Sequence, residues 1–515
     1  MKTPIQNLAL VIIVCYTLFT GKAKGQIGAL DTSFHTGMGA QKINHIAAPI
    51  YASTIQSDGK IVFGGIVQLY NGDSLPSSTF RLNTNGSLDT SYHSISTEVG
   101  VNGEAINALV QQSDGKIIAA GAILFSDSNM YYNRVSRFNS NGNWDTTFNA
   151  NVNPYYPFST NYMAVAVQAD GKLIVGGGSV NFNQALNILR LNTNGAMDTS
   201  FHVGTGAKPY SANTVRAIAI QTDGRVIIGG AFTTYNGVSV KRIARLNTDG
   251  SLDNTFDMSL GANGTVETIS IQNDGKIIIG GSFTAYNGTA IKGLARLNTD
   301  GTLDNAFNTG VGINTAGIIY TTIIQADGRI IIGGYFTSYN GISSKGLARL
   351  NTNGSFDGSF NVGTGLPSSS AIYATSIQAD GKIIIAGNFA TYNGTTVNSL
   401  ARLLVTPVVG LNDTIKGTVY NDINNNCARD FGEVGLPNTW VMANPGAHAA
   451  LTDSLGNYAI TVDTGTYIVT QILNTQYANH CVTSQTVTLS VQNPNAVNIN
   501  WADGLNPSIS GTVYD

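Results

Sequence analysis

Asp422, Asn424, Asn426, Ala428, Asp430 and Glu433 stand at positions 1, 3, 5, 7, 9 and 12 of one short stretch. Oxygen ligands at that spacing wrap a hard cation, with a main-chain carbonyl at the seventh position and a two-oxygen carboxylate at the twelfth, so the pattern points to calcium. The sixth position, where such loops use Gly, is Cys427. A side chain there resists the positive φ that a sharp turn demands, unless a cross-link holds it. A polar, Asn-rich turn without metal is the alternative. Cys427 and Cys481, 54 positions apart, are the two cysteines left once an N-terminal leader is removed. An even, sparse pair in an exported chain reads as a disulfide, with two unrelated buried thiols as the alternative.

Catalytic chemistry has less to build on. The six histidines (His35, His45, His93, His202, His448 and His480) show no metal-ligand spacing, and none stands beside a nucleophile. An Asp-Gly-Lys/Arg triplet recurs with its Asp at 58, 114, 170, 223, 274, 327 and 380. Paired carboxylates would serve a glycosidase, but seven equivalent ones distributed round a repeat array are explained as turn formers. No catalytic residues are expected.

Within a repeat array, residues shared by every copy serve the scaffold, and departures are the candidates for function. Tyr-Asn-Gly recurs at Tyr70, Tyr235, Tyr286, Tyr339 and Tyr392, but the second and third copies lack it. They carry Tyr131 and Tyr132, and Tyr155, Tyr156, Phe158 and Tyr162, in its place. On one face these aromatics would form a platform for sugar rings or a protein partner; packing within their own long loop is the alternative.

The elements that must position these residues follow from the period. The triplets are spaced by 56, 56, 53, 51, 53 and 53 residues, and each is followed by an apolar run and a pair of small residues. Several short strands per unit at such a period predict a β-propeller of seven blades. A second signature, Leu-Asp-x-Ser/Thr-Phe or a near variant, also occurs seven times but is offset by one. Its first copy, at Leu30 to Phe34, precedes every triplet, and the last repeat ends at Leu403 and Leu404 without one. The N-terminal segment is therefore expected to supply the outer strand of the seventh blade, leaving no open edge between the ends.

Repeat four shows the expected blade. Residues 216–221 and 225–232 are strands joined by a two-residue Asp-Gly turn, a longer connection through Tyr235 leads to a third strand at 242–246, and residues 252–256 form the outer strand. The two turns open on one face and are uniform. The second-to-third and blade-to-blade connections open on the other and vary, so the binding surface is expected there.

Charged residues are 11% of the chain, and 27 Lys and Arg stand against 30 Asp and Glu. That balance lacks the basic footprint nucleic acid requires. Residues 1–25 read as a signal peptide: Lys2, an apolar stretch from Leu8 to Phe19, then Ala23 and Gly25 before the cleavage site. No other segment is long and apolar enough to cross a membrane. The chain divides into residues 26–405 (propeller), 406–414 (linker), 415–503 (a β-sandwich of short alternating strands) and 504–515, where the sequence at 509–515 repeats that at 415–422 and a further, truncated module begins.

The motif Q-x-D-G-K/R-I-I-I-G-G-x-F-T-x-Y-N-G followed by L-A-R-L-N-T-D-G-S/T-L-D, as at 272–288 and 294–304, resembles the delta-60 repeat family of bacterial extracellular proteins. Residues 417–436 are similar to the SdrD B-like, immunoglobulin-like modules of bacterial surface proteins. The resemblances imply a secreted or surface propeller on a calcium-stiffened stalk, with no family catalytic residues. The expectation is a monomeric, non-enzymatic protein binding an extracellular glycan or protein. The rivals are a polysaccharide hydrolase or lyase with its active site on the same face, and a purely structural spacer.

Overall fold

In the computed structural model the described residues are 27–505, except 76–78, 94–104, 125–130, 149–161, 182–185, 209–213, 258–259, 406–412, 445–447, 463–464, 473–476, 480, 482–483, 490–494 and 497–498. The leader, most of the linker and the 509–515 repeat thus lie outside them. Among the described residues all regular structure is β, and no helix is long and apolar enough to cross a membrane.

Seven antiparallel three-stranded sheets follow one another. In repeat four the strands are Val215–Ile220, Val226–Gly230 and Ile243–Leu246. The middle strand is buried along its whole length, which is why it reads as a continuous apolar run rather than an alternating one. The first strands lie against one another in repeat order, and that of repeat seven (Ala371–Ile377) also lies against that of repeat one (Ile50–Ile55).

Three expectations need correction. The outer strand is reduced to a single bridge per repeat, such as Leu246 with Leu252, because the chain then turns at Asp253. The Asp-Gly hairpins have three-residue loops: in repeat one Gly59 N–H donates to Gln56 O, and Gly59 alone is at positive φ (81°). This is a type I turn closed by a glycine bulge, with Asp58 Oδ1 accepting the Lys60 N–H. Finally, the Tyr-Asn-Gly segment is the turn of a short hairpin, Thr234–Tyr235 with Val238–Ser239 in repeat four, paired to Ala207–Lys208 from the preceding connection. Asn236 and Gly237 both take positive φ, as a two-residue hairpin turn requires. The tyrosine is buried, and its hydroxyl donates to Gly250 O in the third-to-fourth turn at 2.8 Å. The second-to-third connection therefore folds back onto its blade in the five repeats that carry this motif, and those tyrosines are scaffold.

The second signature is an ion cluster. In repeat two, Asp145 Oδ2 accepts from Arg137 Nε (2.7 Å) and Lys116 Nζ (2.9 Å), Thr147 Oγ1 donates to Asp145 Oδ1, and the Arg137 guanidinium lies 4.8 Å from the Phe148 ring centroid. Six of the seven arginines also reach forward, as Arg137 to Thr193 O, Arg190 to Thr248 O and Arg296 to Thr352 O, each in the next repeat's turn. The N-terminal copy completes the same cluster on the last repeat. Leu30 bridges Leu403, Asp31 accepts from Arg402 Nε (2.9 Å), Phe34 lies under that guanidinium, and Tyr392 donates to Gly28 O. Arg402 in turn donates to Thr84 O of repeat one at 2.6 Å. Among the described residues Arg349 bonds Asp357 and Ser359.

After the linker, two sheets share a separate core. One runs through Asp413–Asn421, Asn457–Val462 and Trp501–Leu505, the other through Trp440–Asn444, Gly465–Ile472 and Gln485–Leu489. Ile415, Val419, Val441, Val469 and Trp501 fill the space between. The last strand begins at Trp501 rather than ending there, and pairs in parallel with 419–421.

Candidate functional site

The Asp422–Glu433 loop leaves the first strand of this second unit and folds its oxygens inward. Asp422, 1% exposed, accepts the Asn426 and Cys427 N–H groups on its two oxygens, at 3.2 and 2.9 Å. Glu433 accepts the Ile423 and Asp430 N–H groups, both at 2.9 Å. Asp430 Oδ2 accepts the side-chain amides of Asn424 and Asn426, each at 2.7 Å, which hold its carboxyl below the usual range. Among the described residues none of the three carboxylates forms an ion pair. Ala428 N–H donates to Asn426 Oδ1, so its side chain has no part and only its carbonyl could serve.

Cys427 sits at φ 63° and is bonded to Cys481, with the Cα atoms 5.8 Å apart. The left-handed geometry that this loop type asks of its sixth residue is present without glycine, and the cross-link anchors it. Asp422, Cys427 and Cys481 also cluster by themselves, but the two sulfurs are spent in the disulfide and offer no thiolate. The residues present fit a hard cation held by Asp422, Asn424, Asn426, the Ala428 carbonyl, Asp430 and Glu433.

The aromatic candidates fare differently. Tyr131 and Tyr132 belong to a strand, Tyr131–Phe138, paired with Leu124 and Ile123, and not to a loop. Tyr162 opens the strand Tyr162–Val167, opposite Gly177. Tyr155, Tyr156 and Phe158 lie outside the described residues.

The repeated Asp residues of the triplets are turn acceptors. A cleft of about 1040 Å³ between repeats four and five at the turn end includes Asp223, Asp274 and Asp300. Each carboxylate caps its own turn, and Asp300 is held below its ordinary range by the Thr302 hydroxyl and N–H, the opposite of what a general acid needs.

One set of residues was missed. Every first strand carries a β-bulge, seen as a register shift between residues such as Ile50 and Ala52 or Val215 and Ala217. The bulged residue is always seven before the triplet Asp: Tyr51, Asn107, Met163, Arg216, Glu267, Tyr320 and Tyr373. All seven are half-buried. The signal was the criterion of departure itself, applied along the strands rather than to the loops.

The residue-level picture is that of a β-propeller repeat protein. Seven stretches, 56–92, 112–148, 168–201, 221–256, 272–307, 325–360 and 378–405, match the family described as "Domain of unknown function (DUF5122) beta-propeller". No protein of curated function matches it. Among solved structures it is similar to the extracellular domain of a protein described as a hybrid two component system from B. thetaiotaomicron (13% identity, TM-score 0.43, 91% of this chain and 57% of that one). It is also similar to YCF48 from Cyanidioschyzon merolae (11%, 0.42, 70% and 96%) and to a catalytically inactive virginiamycin B lyase from Staphylococcus aureus with quinupristin (11%, 0.41, 71% and 98%). The chain spans less than two thirds of the first of these structures.

Proposed function

We propose that this is a non-enzymatic, exported surface or secreted protein. Its seven repeats close into a ring through the N-terminal segment, and the ring binds an extracellular glycan or protein at the end away from the uniform turns. An immunoglobulin-like, SdrD B-like sandwich stiffened by calcium carries it. The observation that carries the reading is the fate of the shared charges: each repeated Arg, Lys and Asp of the ion cluster is engaged in joining strands and repeats, which leaves the repeat chemistry to architecture. Closure is supported by Leu30 on Leu403, Asp31 on Arg402 and Arg402 on Thr84 O. Export is supported by the leader-like residues 1–25 and by the Cys427–Cys481 bond, which persists in oxidising compartments. Calcium is supported by three inward carboxylates without a cationic partner among the described residues.

The test is a glycan-array and pull-down screen of the chain from residue 26. A retained glycan or protein, with no turnover of the polysaccharides retained, is the expected result. Cleavage of a retained polysaccharide would contradict the non-enzymatic reading, and retention of nothing would leave a spacer. Tyr155→Ala with Tyr156→Ala should weaken retention with little change in melting temperature.

A further inference from the structure

The seven bulged residues occupy equivalent positions on strands that lie side by side, yet their identities are Tyr, Asn, Met, Arg, Glu, Tyr and Tyr. Their neighbours do not vary in this way: the residues before and after are Ile, Val, Ala or Thr at nearly every copy. The scaffold explains the bulge but not its occupants. The second small residue of each middle strand approaches the first strand so closely that a Cβ on Gly230 would lie 2.0 Å from Thr214 O, and one on Gly334 2.1 Å from Ile318 O. Glycine there lets the first strand bulge, and a bulge re-aims the extra side chain.

The re-aimed side chains meet their counterparts from neighbouring repeats. Tyr373 touches Tyr51 on one side and Tyr320 on the other, with ring centroids 5.3 and 5.1 Å away, the second pair edge-on. Arg216 Nη1 donates to both Glu267 oxygens at 2.6 Å across the next repeat boundary. Glu267 and Arg216 lie close enough to act on the Tyr320 hydroxyl, as does Tyr335, 41% exposed at the end of the neighbouring strand. Five consecutive repeats, four to seven and then one, thus bring one arc of half-buried groups together.

We propose that this arc is a binding site for a single neutral saccharide unit, the end or an exposed residue of a longer glycan. The proposal rests on the reading of the propeller as a binding module and names its ligand class and contacts. Tyrosine rings offer flat apolar faces to the C–H face of a sugar, with hydroxyls that donate and accept at its rim. The Arg216–Glu267 pair supplies charged donors and acceptors of fixed direction to sugar hydroxyls. Because the two charges cancel and the other five positions are uncharged, the arc has no net charge with which to select an acidic or basic ligand. Each of its groups is half-buried and so offers only part of its surface, which suits one small ring rather than the roughly 800 Å² per partner of a stable protein interface.

The chain from residue 26 would be titrated with neutral hexasaccharides (β-glucan, xylan, mannan and chitin series), with oligogalacturonate as the acidic probe and chitosan oligomers as the basic one. One or more neutral series should bind, and Tyr373→Ala and Tyr51→Ala should each weaken that binding by about tenfold at an unchanged melting temperature. Tyr373→Phe, which keeps the ring, should retain most of it; if both alanine variants melt early, Tyr373→Phe and Glu267→Gln carry the test, the second again losing about tenfold. Binding only to the charged probes, to a protein alone, or to none overturns the proposal. So does neutral-glycan binding that survives these substitutions but falls with Tyr155→Ala and Tyr156→Ala, an outcome that would leave the binding-module reading intact. Retention of no ligand of any kind would remove both.

Discussion

In five of the seven repeats one guanidinium serves four neighbours: an Asp, a Ser or Thr hydroxyl, an aromatic face, and a carbonyl of the next repeat. In repeat three these are Asp198, Ser200, Phe201 and Thr248. Burial alone would raise the Asp198 carboxyl, but Lys172, Ser200 and Arg190 outweigh it and hold it far below the usual range, and Asp89 and Asp145 behave alike. A folded-state pKa below the unfolded one contributes stability that is complete above the unfolded value of about 3.9 and is lost as pH falls through the folded one. Melting temperature should therefore be flat from neutrality to about pH 5 and drop steeply below about pH 4. At one cluster, Asp145→Asn should cost about 3–5 kcal/mol by leaving the Arg137 guanidinium buried without its counter-charge, as read from denaturant unfolding. The motif that encodes this cluster was legible because its Asp recurs in all seven copies, nearly always with a hydroxyl two places on and an aromatic three places on; the arginine's reach into the next repeat was not, since its acceptor is a main-chain oxygen that any residue supplies.

At the scale of elements, the two small residues ending each middle strand have different tasks. A Cβ on Gly229 would meet Val266 Cγ1 of the next repeat at 2.6 Å, whereas one on Gly230 would meet main-chain Thr214 O at 2.0 Å. Side chains can yield and a bulged backbone cannot, and two repeats already carry alanine at the first position (Ala120 and Ala386). Gly230→Ala should thus cost about 3 kcal/mol or more and Gly229→Ala about 1, measured by chemical unfolding. In the second unit, calcium at ten times its dissociation constant should add roughly 1.4 kcal/mol. The transition of that unit should rise by a few degrees over the chelated protein, and Glu433→Gln should abolish the rise; no shift in the unmutated chain would remove the metal. The order of the three strands in each repeat was readable from the period. The folding back of the Tyr-Asn-Gly hairpin was not, because hydropathy reports that Tyr235 is amphipathic and not whether its loop stands free or lies on the blade. The bulges were hidden for a related reason: one extra residue leaves the apolar pattern on either side intact.

For the whole molecule, the decisive feature is the segment that precedes the first repeat. Residues 28–34 give the last repeat its bridge at Leu30, its counter-ion at Asp31 and its aromatic partner at Phe34, and the arginine so organised, Arg402, reaches the first repeat. The offset between the two signatures exposed this pairing in the sequence, since seven copies of each could match only by joining the ends. Repeats that depend on neighbours on both sides unfold together, and removing the joint should release the whole set. Thermal unfolding of the chain from residue 26 against the same chain from residue 37 tests this most directly. The account predicts that the shortened protein loses the propeller transition or melts far lower, with the second unit's transition unchanged. Superimposable propeller transitions in the two proteins would contradict it.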